Sequence, residues 1–156
     1  MLSDEGVASL PFRLAVSMLV LSLALPVCLQ SLSDGEREVS RKAALRAAQE
    51  ISRLAEELSS RPVGESRIFE AGDELRSAAS GIRIVAGSML GEEGFPSVRC
   101  TDSTGWEATV LVQMSPQIVG FCSFDLMPLT IERDTGDIVM SHCRQPGGEI
   151  IMMEPE

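Results

Sequence analysis

Hydrophobic and polar positions fall into three regimes along the chain. From Leu14 to Leu29 no charged side chain occurs, and with Pro11, Phe12 and Gln30 to Leu32 the apolar window reaches the roughly twenty residues that span a hydrocarbon core. Leu14, Leu19, Leu21, Leu25 and Leu29 are its bulkiest repeating element. The second regime has a helical period: Val39, Ala43, Ala47, Ile51, Leu54 and Leu58 recur at spacings of three and four. "SDGE" at Ser33 to Glu36 has the Ser-x-x-Glu form of a capping box, so a new helix is expected to open there, and Pro62 and Gly64 are expected to close it. Arg46, Glu50, Arg53 and Glu57 form an alternating-charge face opposite the stripe. Two partners suit that stripe: the sheet that follows, or the same helix in other subunits.

Beyond residue 60 the period shortens to that of strands separated by turn residues. Strands are expected near Ser66 to Ala71, Leu75 to Ser77, Ile82 to Ala86, Val98 to Thr101, Trp106 to Val112, Leu129 to Arg133, Ile138 to Ser141 and Glu149 to Met153. "VRCTDSTGWEATV" and "LTIERDTGDIVMS" both read as hairpins, alternating runs around a polar turn that contains glycine. The pattern predicts an α+β protein: an N-terminal transmembrane helix (7–32), an amphipathic helix (33–60) and a small antiparallel β-sheet domain (61–156).

Composition narrows the function. The 156 residues carry a formal charge of −10, which disfavours nucleic acid, because phosphate binding needs a basic surface. With no Tyr, one Trp and one His, the usual means of proton shuttling, metal ligation and base stacking are scarce, and neither an enzyme nor a cofactor is expected. "DTG" at Asp134 to Gly136 and "DSTG" at Asp102 to Gly105 resemble aspartic-protease triplets. The first is flanked by Glu132, Arg133 and Asp137, however, and solvated turns are the expectation. His142 with Cys100, Cys122 and Cys143 lacks the paired knuckle of a zinc site, and no metal site is expected. Neighbours on a strand point to opposite faces, so His142 should not activate Cys143. "GEEG" lacks the donors of a phosphate loop, Glu132, Asp134 and Asp137 lack an EF-hand ligand pattern, and "EIIMMEPE" reads as a final strand with Met in the core. Cys100, Cys122 and Cys143 could close one disulfide with one thiol over, or remain buried as small hydrophobes.

The N-terminal segment has several readings. A secretory signal opens with basic residues, whereas this chain opens with Asp4 and Glu5, and a lipoprotein signal would want a small residue where Val27 precedes Cys28. Arg37, Arg41, Lys42 and Arg46 after the span pull its C-terminal side toward the cytoplasm under the positive-inside rule, opposed by Arg13 and the amino terminus. "SDEG" followed at once by "VASLPFRLAVSMLVLSLALPVCLQ" resembles the class III signal of archaeal type IV pilin-like proteins. The resemblance implies a leader of residues 1–6 cut between Gly6 and Val7, an apolar helix retained in the mature chain, and the β-rich domain on the cell surface. It implies membrane lipid and other pilin-like subunits as partners, with Ser17, Ser22 and Ala24 as small contact residues. Glu5 stands where the family has Lys or Arg, a departure from its pattern. Arg13 has no acid in the span to neutralise it, which points to an accessory rather than a main filament subunit. The rival from another class is a single-span binding or sensor module that never polymerises; an anchored hydrolase is a third.

Overall fold

The computed structural model describes residues 5–71, 81–87 and 96–156, and the side chains within α1 from Pro11 onward. Among the described residues are one helix, α1 (Glu5–Ser59), and eight strands: β1 (Ser66–Phe69), β2 (Arg83–Ala86), β3 (Ser97–Thr101), β4 (Glu107–Leu111), β5 (Ile118–Ser123), β6 (Leu129–Ile131), β7 (Ile138–Gln145) and β8 (Gly148–Pro155). The α+β expectation holds. The chain divides into two units, residues 1–38 and 39–156, and α1 contributes to both.

The helix does not restart at the capping box. Residues 33–36 lie within α1, with Asp34 paired to Arg37 one turn on at 3.6 Å. Ser33 and Glu36 therefore serve as ordinary helix positions, because a helix already running satisfies the amide groups that a cap would otherwise take. The helix ends at Ser59, slightly before Pro62, and Ser60 and Arg61 amides turn back onto the Glu57 and Leu58 carbonyls.

In the first unit, Pro11 and Pro26 both lie inside the helix. Pro26 has no amide to donate to Ser22, and one turn earlier the Ser22 hydroxyl bonds the Leu19 carbonyl at 2.8 Å. Leu14, Leu19, Leu21, Leu25 and Leu29 are all exposed. Gly6 and Val7 fall in the first turns of α1.

In the second unit the strands form two sheets rather than one. The first has the order β1-β7-β8-β5 and the second β4-β3-β2-β6. "VRCTDSTGWEATV" is the β3–β4 hairpin, with Val98 opposite Val110 and Cys100 opposite Ala108. "LTIERDTGDIVMS" is not a hairpin: β6 pairs with β2 in the second sheet while β7 pairs with β1 and β8 in the first. Its turn carries the chain from one sheet to the other, with the Thr135 amide on the Glu132 carbonyl and the Thr135 hydroxyl receiving the Glu132 amide. The first sheet is also not wholly antiparallel. β5 runs parallel to β8, a pairing that becomes possible because the connection detours through β6 in the other sheet. The expected strand at Leu75 to Ser77 and the "GEEG" segment lie outside the described residues.

Both sheets and α1 bury into one core. The first sheet contributes Phe69, Phe121, Ile138, Met140, Ile151 and Met153, and the second Ile84, Ala86, Val98, Cys100 and Ile131. From α1 come Ala44, Ala47, Ala48, Ile51, Leu54, Ala55 and Leu58, so the predicted stripe covers the sheets of its own chain. One member is misplaced: Val39 is 69% exposed, and the buried face is shifted toward Ser40, Ala44, Ala48 and Ser52. The alanines let strands come close to the helix backbone. Cys100 Sγ reaches the Ala44 carbonyl at 3.5 Å, which a larger residue facing it would prevent. Gly87 has φ +105°, and a Cβ there would overlap the Phe121 carbonyl oxygen.

The corrected stripe can be checked by denaturant unfolding of the full chain in detergent. Ile51→Ala should cost about 2–5 kcal/mol, from lost transfer energy and the cavity left behind. Val39→Ala should stay within about 0.5 kcal/mol, as surface substitutions do. Gly87→Ala should destabilise by more than about 1 kcal/mol from its backbone conformation alone, with the Phe121 overlap added.

Candidate functional site

Three features could carry function: the uncovered apolar part of α1, a groove at one end of the second sheet, and a polar cavity beyond the C-terminal end of α1. The first is the plainest. α1 holds an 18-residue stretch long and apolar enough to cross a membrane, and none of that stretch is buried by the protein. Leucine at these positions meets no core of its own, and a helix of this kind suits a membrane anchor or a signal segment.

The groove, about 710 Å³, is lined by Gly81, Ile82, Arg83, Thr101, Asp102, Ser103, Glu132, Arg133 and Asp134. It brings together the aspartates of the "DSTG" and "DTG" triplets. A proton-sharing pair would need one carboxyl held neutral by its neighbour. Asp102 is arranged the other way. Its Oδ1 accepts the Thr104 hydroxyl at 2.6 Å, the Thr104 amide at 2.8 Å and the Trp106 amide at 3.0 Å, and its Oδ2 takes Arg41 Nε at 2.8 Å. The Thr104 hydroxyl first, opposed by burial and then joined by Arg41 and the two amides, holds the Asp102 carboxyl well below the usual range. Asp134 is exposed, on a solvated turn. Arg41 also donates to the Thr104 hydroxyl at 2.8 Å and lies 5.4 Å from the centre of the Trp106 ring. Asp102 is therefore a clamp that fastens α1 to the β3–β4 turn.

The cysteines are free. Cys122 and Cys143 lie on β5 and β7 with β8 between them, so their backbones are about 9–10 Å apart, beyond the reach of a disulfide. Cys100 faces the core against α1. Of the two readings left open for Cys100, Cys122 and Cys143, Cys100 and Cys122 fit the buried thiol, while Cys143 is half-buried. Burial pushes the Cys100 thiol up to about 11 and raises Cys122, while burial and then the Glu154 charge raise Cys143. None is poised as a thiolate. His142 and Cys143 point to opposite faces of β7, as their alternating burial shows.

The cavity, about 550 Å³, is lined by residues that include Ser60, Arg61, Ser115, Gln117, His142, Arg144 and Glu149. His142 enters from β7 and Glu149 from β8, and the backbone of His142 ties the helix exit down: its carbonyl accepts the Gly64 amide at 2.8 Å and its amide donates to the Glu65 carbonyl at 2.9 Å. His142 Nδ1 lies 2.8 Å from the Arg61 carbonyl and its Nε2 3.4 Å from Glu149 Oε2. Arg144 bonds the other Glu149 oxygen at 2.6 Å and, ahead of the opposing effect of burial, lowers the Glu149 carboxyl. Sequence reasoning passed over Glu149; its pairing with His142 follows only from the β7–β8 register, in which His142 faces Ile151 and Arg144 faces Glu149. Among the described residues no three His, Cys, Asp or Glu side chains gather as a metal cluster. No family model, curated protein or solved structure matches the chain.

The Asp102 clamp predicts the acid behaviour of the fold. A depressed carboxyl adds stability above its unfolded value, near 3.9, and that stability is lost as pH falls through the folded value. Asp102→Asn should therefore be less stable than the parent at pH 7, and the gap should close as the pH is lowered below about 4. Thermal unfolding followed between pH 7 and pH 2 checks this; parallel curves for the two proteins would contradict the clamp.

Proposed function

We propose that the chain is a membrane-anchored, pilin-like structural or accessory subunit of a cell-surface assembly, with its β-rich unit outside the cell. The observation that carries the reading is the unequal treatment of α1. Its first part presents an uncovered apolar run, while its last part, Ser40 to Ser59, is committed to the core of the β-rich unit. α1 runs from Glu5 to Ser59 without the break expected at Ser33, and an apolar helix that runs on into a helix of the β-rich unit is the plan the pilin-like reading has. Gly6 and Val7 would flank the processing site, and Ser17, Ser22 and Ala24 would let neighbouring helices approach. Arg13, exposed and near one edge of the run, suits a subunit used sparingly rather than one stacked by the hundred.

The chemistry around the second unit fits a non-enzymatic role. Asp102 is saturated by its own turn, the buried thiols are held protonated, and His142 is turned away from Cys143. The open polar cavity at His142 is what favours the second reading, a single-span binding module that does not assemble.

Intact mass and N-terminal sequence of the natively expressed protein, extracted from membranes, separate the two. The pilin-like reading expects a mature chain beginning at Val7 that co-purifies with further subunits. A chain that keeps its first six residues and runs as a monomer in detergent would overturn it in favour of the binding module.

A further inference from the structure

The cavity beyond the C-terminal end of α1 sets two guanidiniums against a single carboxylate, in a chain whose formal charge is −10. Arg61 reaches it from the helix exit and Arg144 from β7. Neither cation is saturated by the protein. Arg61 Nη2 takes Glu57 at 3.2 Å and its Nη1 stands 4.0 Å from Glu65, but Glu57 is shared with Arg53 and Arg67, each at 3.4 Å, so one carboxylate serves three guanidiniums. Arg144 uses one nitrogen on Glu149 Oε1 at 2.6 Å. A guanidinium carries five N–H donors, so each side chain keeps donors for a ligand. Glu149 is itself engaged on both oxygens, by Arg144 on one and by His142 Nε2, 3.4 Å away, on the other. The one acid of the wall is thus taken up by its own neighbours.

We propose that this cavity binds the phosphate group of a small phosphomonoester. Its wall is richer in donors than in acceptors: Arg61 and Arg144 carry charge, and Ser115 and Gln117, from the segment between β4 and β5, add neutral hydrogen-bonding groups. Guanidinium forks match phosphate oxygens in bidentate pairs. Two forks on separate elements favour phosphate over carboxylate. One fork serves both oxygens of a carboxylate, whereas a phosphomonoester brings three acceptor oxygens and close to a second negative charge. The volume, about 550 Å³, lies in the range of small-molecule pockets and is more than a bare phosphate fills, so the phosphate comes with an organic body. The acidic chain as a whole still disfavours a polyanion such as nucleic acid, while a single phosphate is met by a local excess of positive charge. The site deepens the binding-module reading without requiring it. A subunit that assembles can carry the same cavity, and N-terminal processing and ligand binding are read by separate measurements.

The test titrates the full chain in detergent by calorimetry, once with glycerol 3-phosphate and once with micelles carrying phosphatidic acid, with glycerol and acetate as controls. Saturable binding of glycerol 3-phosphate assigns a soluble ligand, and binding confined to the phosphatidic acid micelles assigns a lipid headgroup; either supports the site. In Arg61→Gln and in Arg144→Gln binding should weaken by about tenfold or more, as loss of a charge-assisted contact requires. Absence of saturable binding of both phosphates at millimolar concentration, binding unchanged in both variants, or acetate bound as tightly as phosphate overturns the proposal. The ring proton signals of the one histidine, which lies on the cavity wall, give a reading that needs no variant. They must shift as the phosphate that binds is added, and unmoved signals overturn the site even if a variant fails to fold.

Discussion

The contact on which the second unit depends is the small-residue face of α1 between Ser40 and Ser59. Two four-stranded sheets of short strands cannot each close a core alone, and a helix of ordinary bulk would hold them apart. Alanine at 43, 44, 47, 48 and 55 lets both approach, and Ile51, Leu54 and Leu58 fill the space between. The polar members of the same face have a different duty. Ser52 donates to the Leu111 carbonyl, Glu56 accepts the Gln113 amide and Ser59 accepts the Ser115 amide, so three side chains one helical turn apart meet three alternate residues of an extended segment. They satisfy backbone groups at the end of β4 and in the segment that leaves it, and so pin that segment to the helix.

The same face shows how far the sequence could be read. Ile51, Leu54 and Leu58 were legible because large apolar residues at helical spacing mark the buried side of a helix. The true centre of the face was not, because alanine and serine carry little hydropathy signal, and Val39 drew the stripe to the wrong side. The strands divide similarly. Alternating segments such as Ser97–Thr101 and Glu107–Leu111 were found nearly to the residue. β5 was missed because "IVGFCS" does not alternate: a parallel strand buried on both faces reads as a plain apolar run, and Gly120 at its bulge looks like a break. The "ERDTGD" turn was recognised as a turn but not as a passage between sheets. Turn chemistry records a reversal of the chain without recording which partner the next strand will choose.

The candidate sites were legible in proportion to how local they are. That Asp134 lies in a solvated turn and that His142 and Cys143 diverge follow from neighbours in sequence, and the structure agrees. The Arg41–Asp102 clamp spans sixty-one positions and the His142–Arg61 bond eighty-one, and no local pattern marks either. The capping box failed for a related reason. "SDGE" describes how a helix would begin if it needed to begin, and α1 already continues from the apolar run.

Charge is used unevenly across the second unit, and this bears on what it can do. Several of its charged residues pair at the surface, as Arg53 does between Glu50 and Glu57, where such pairs contribute little. Asp102 is the exception on the second sheet, and every contact it makes is accounted for by holding a turn against the helix. His142 is the exception on the first. Its backbone and Nδ1 hold the exit of α1, and the same ring sets Nε2 3.4 Å from a Glu149 oxygen, so one side chain faces both the end of the helix and the carboxylate of the neighbouring strand. An asparagine could donate to the Arg61 carbonyl but would have no second ring nitrogen to turn toward Glu149, which is why packing at the helix exit alone does not account for histidine there.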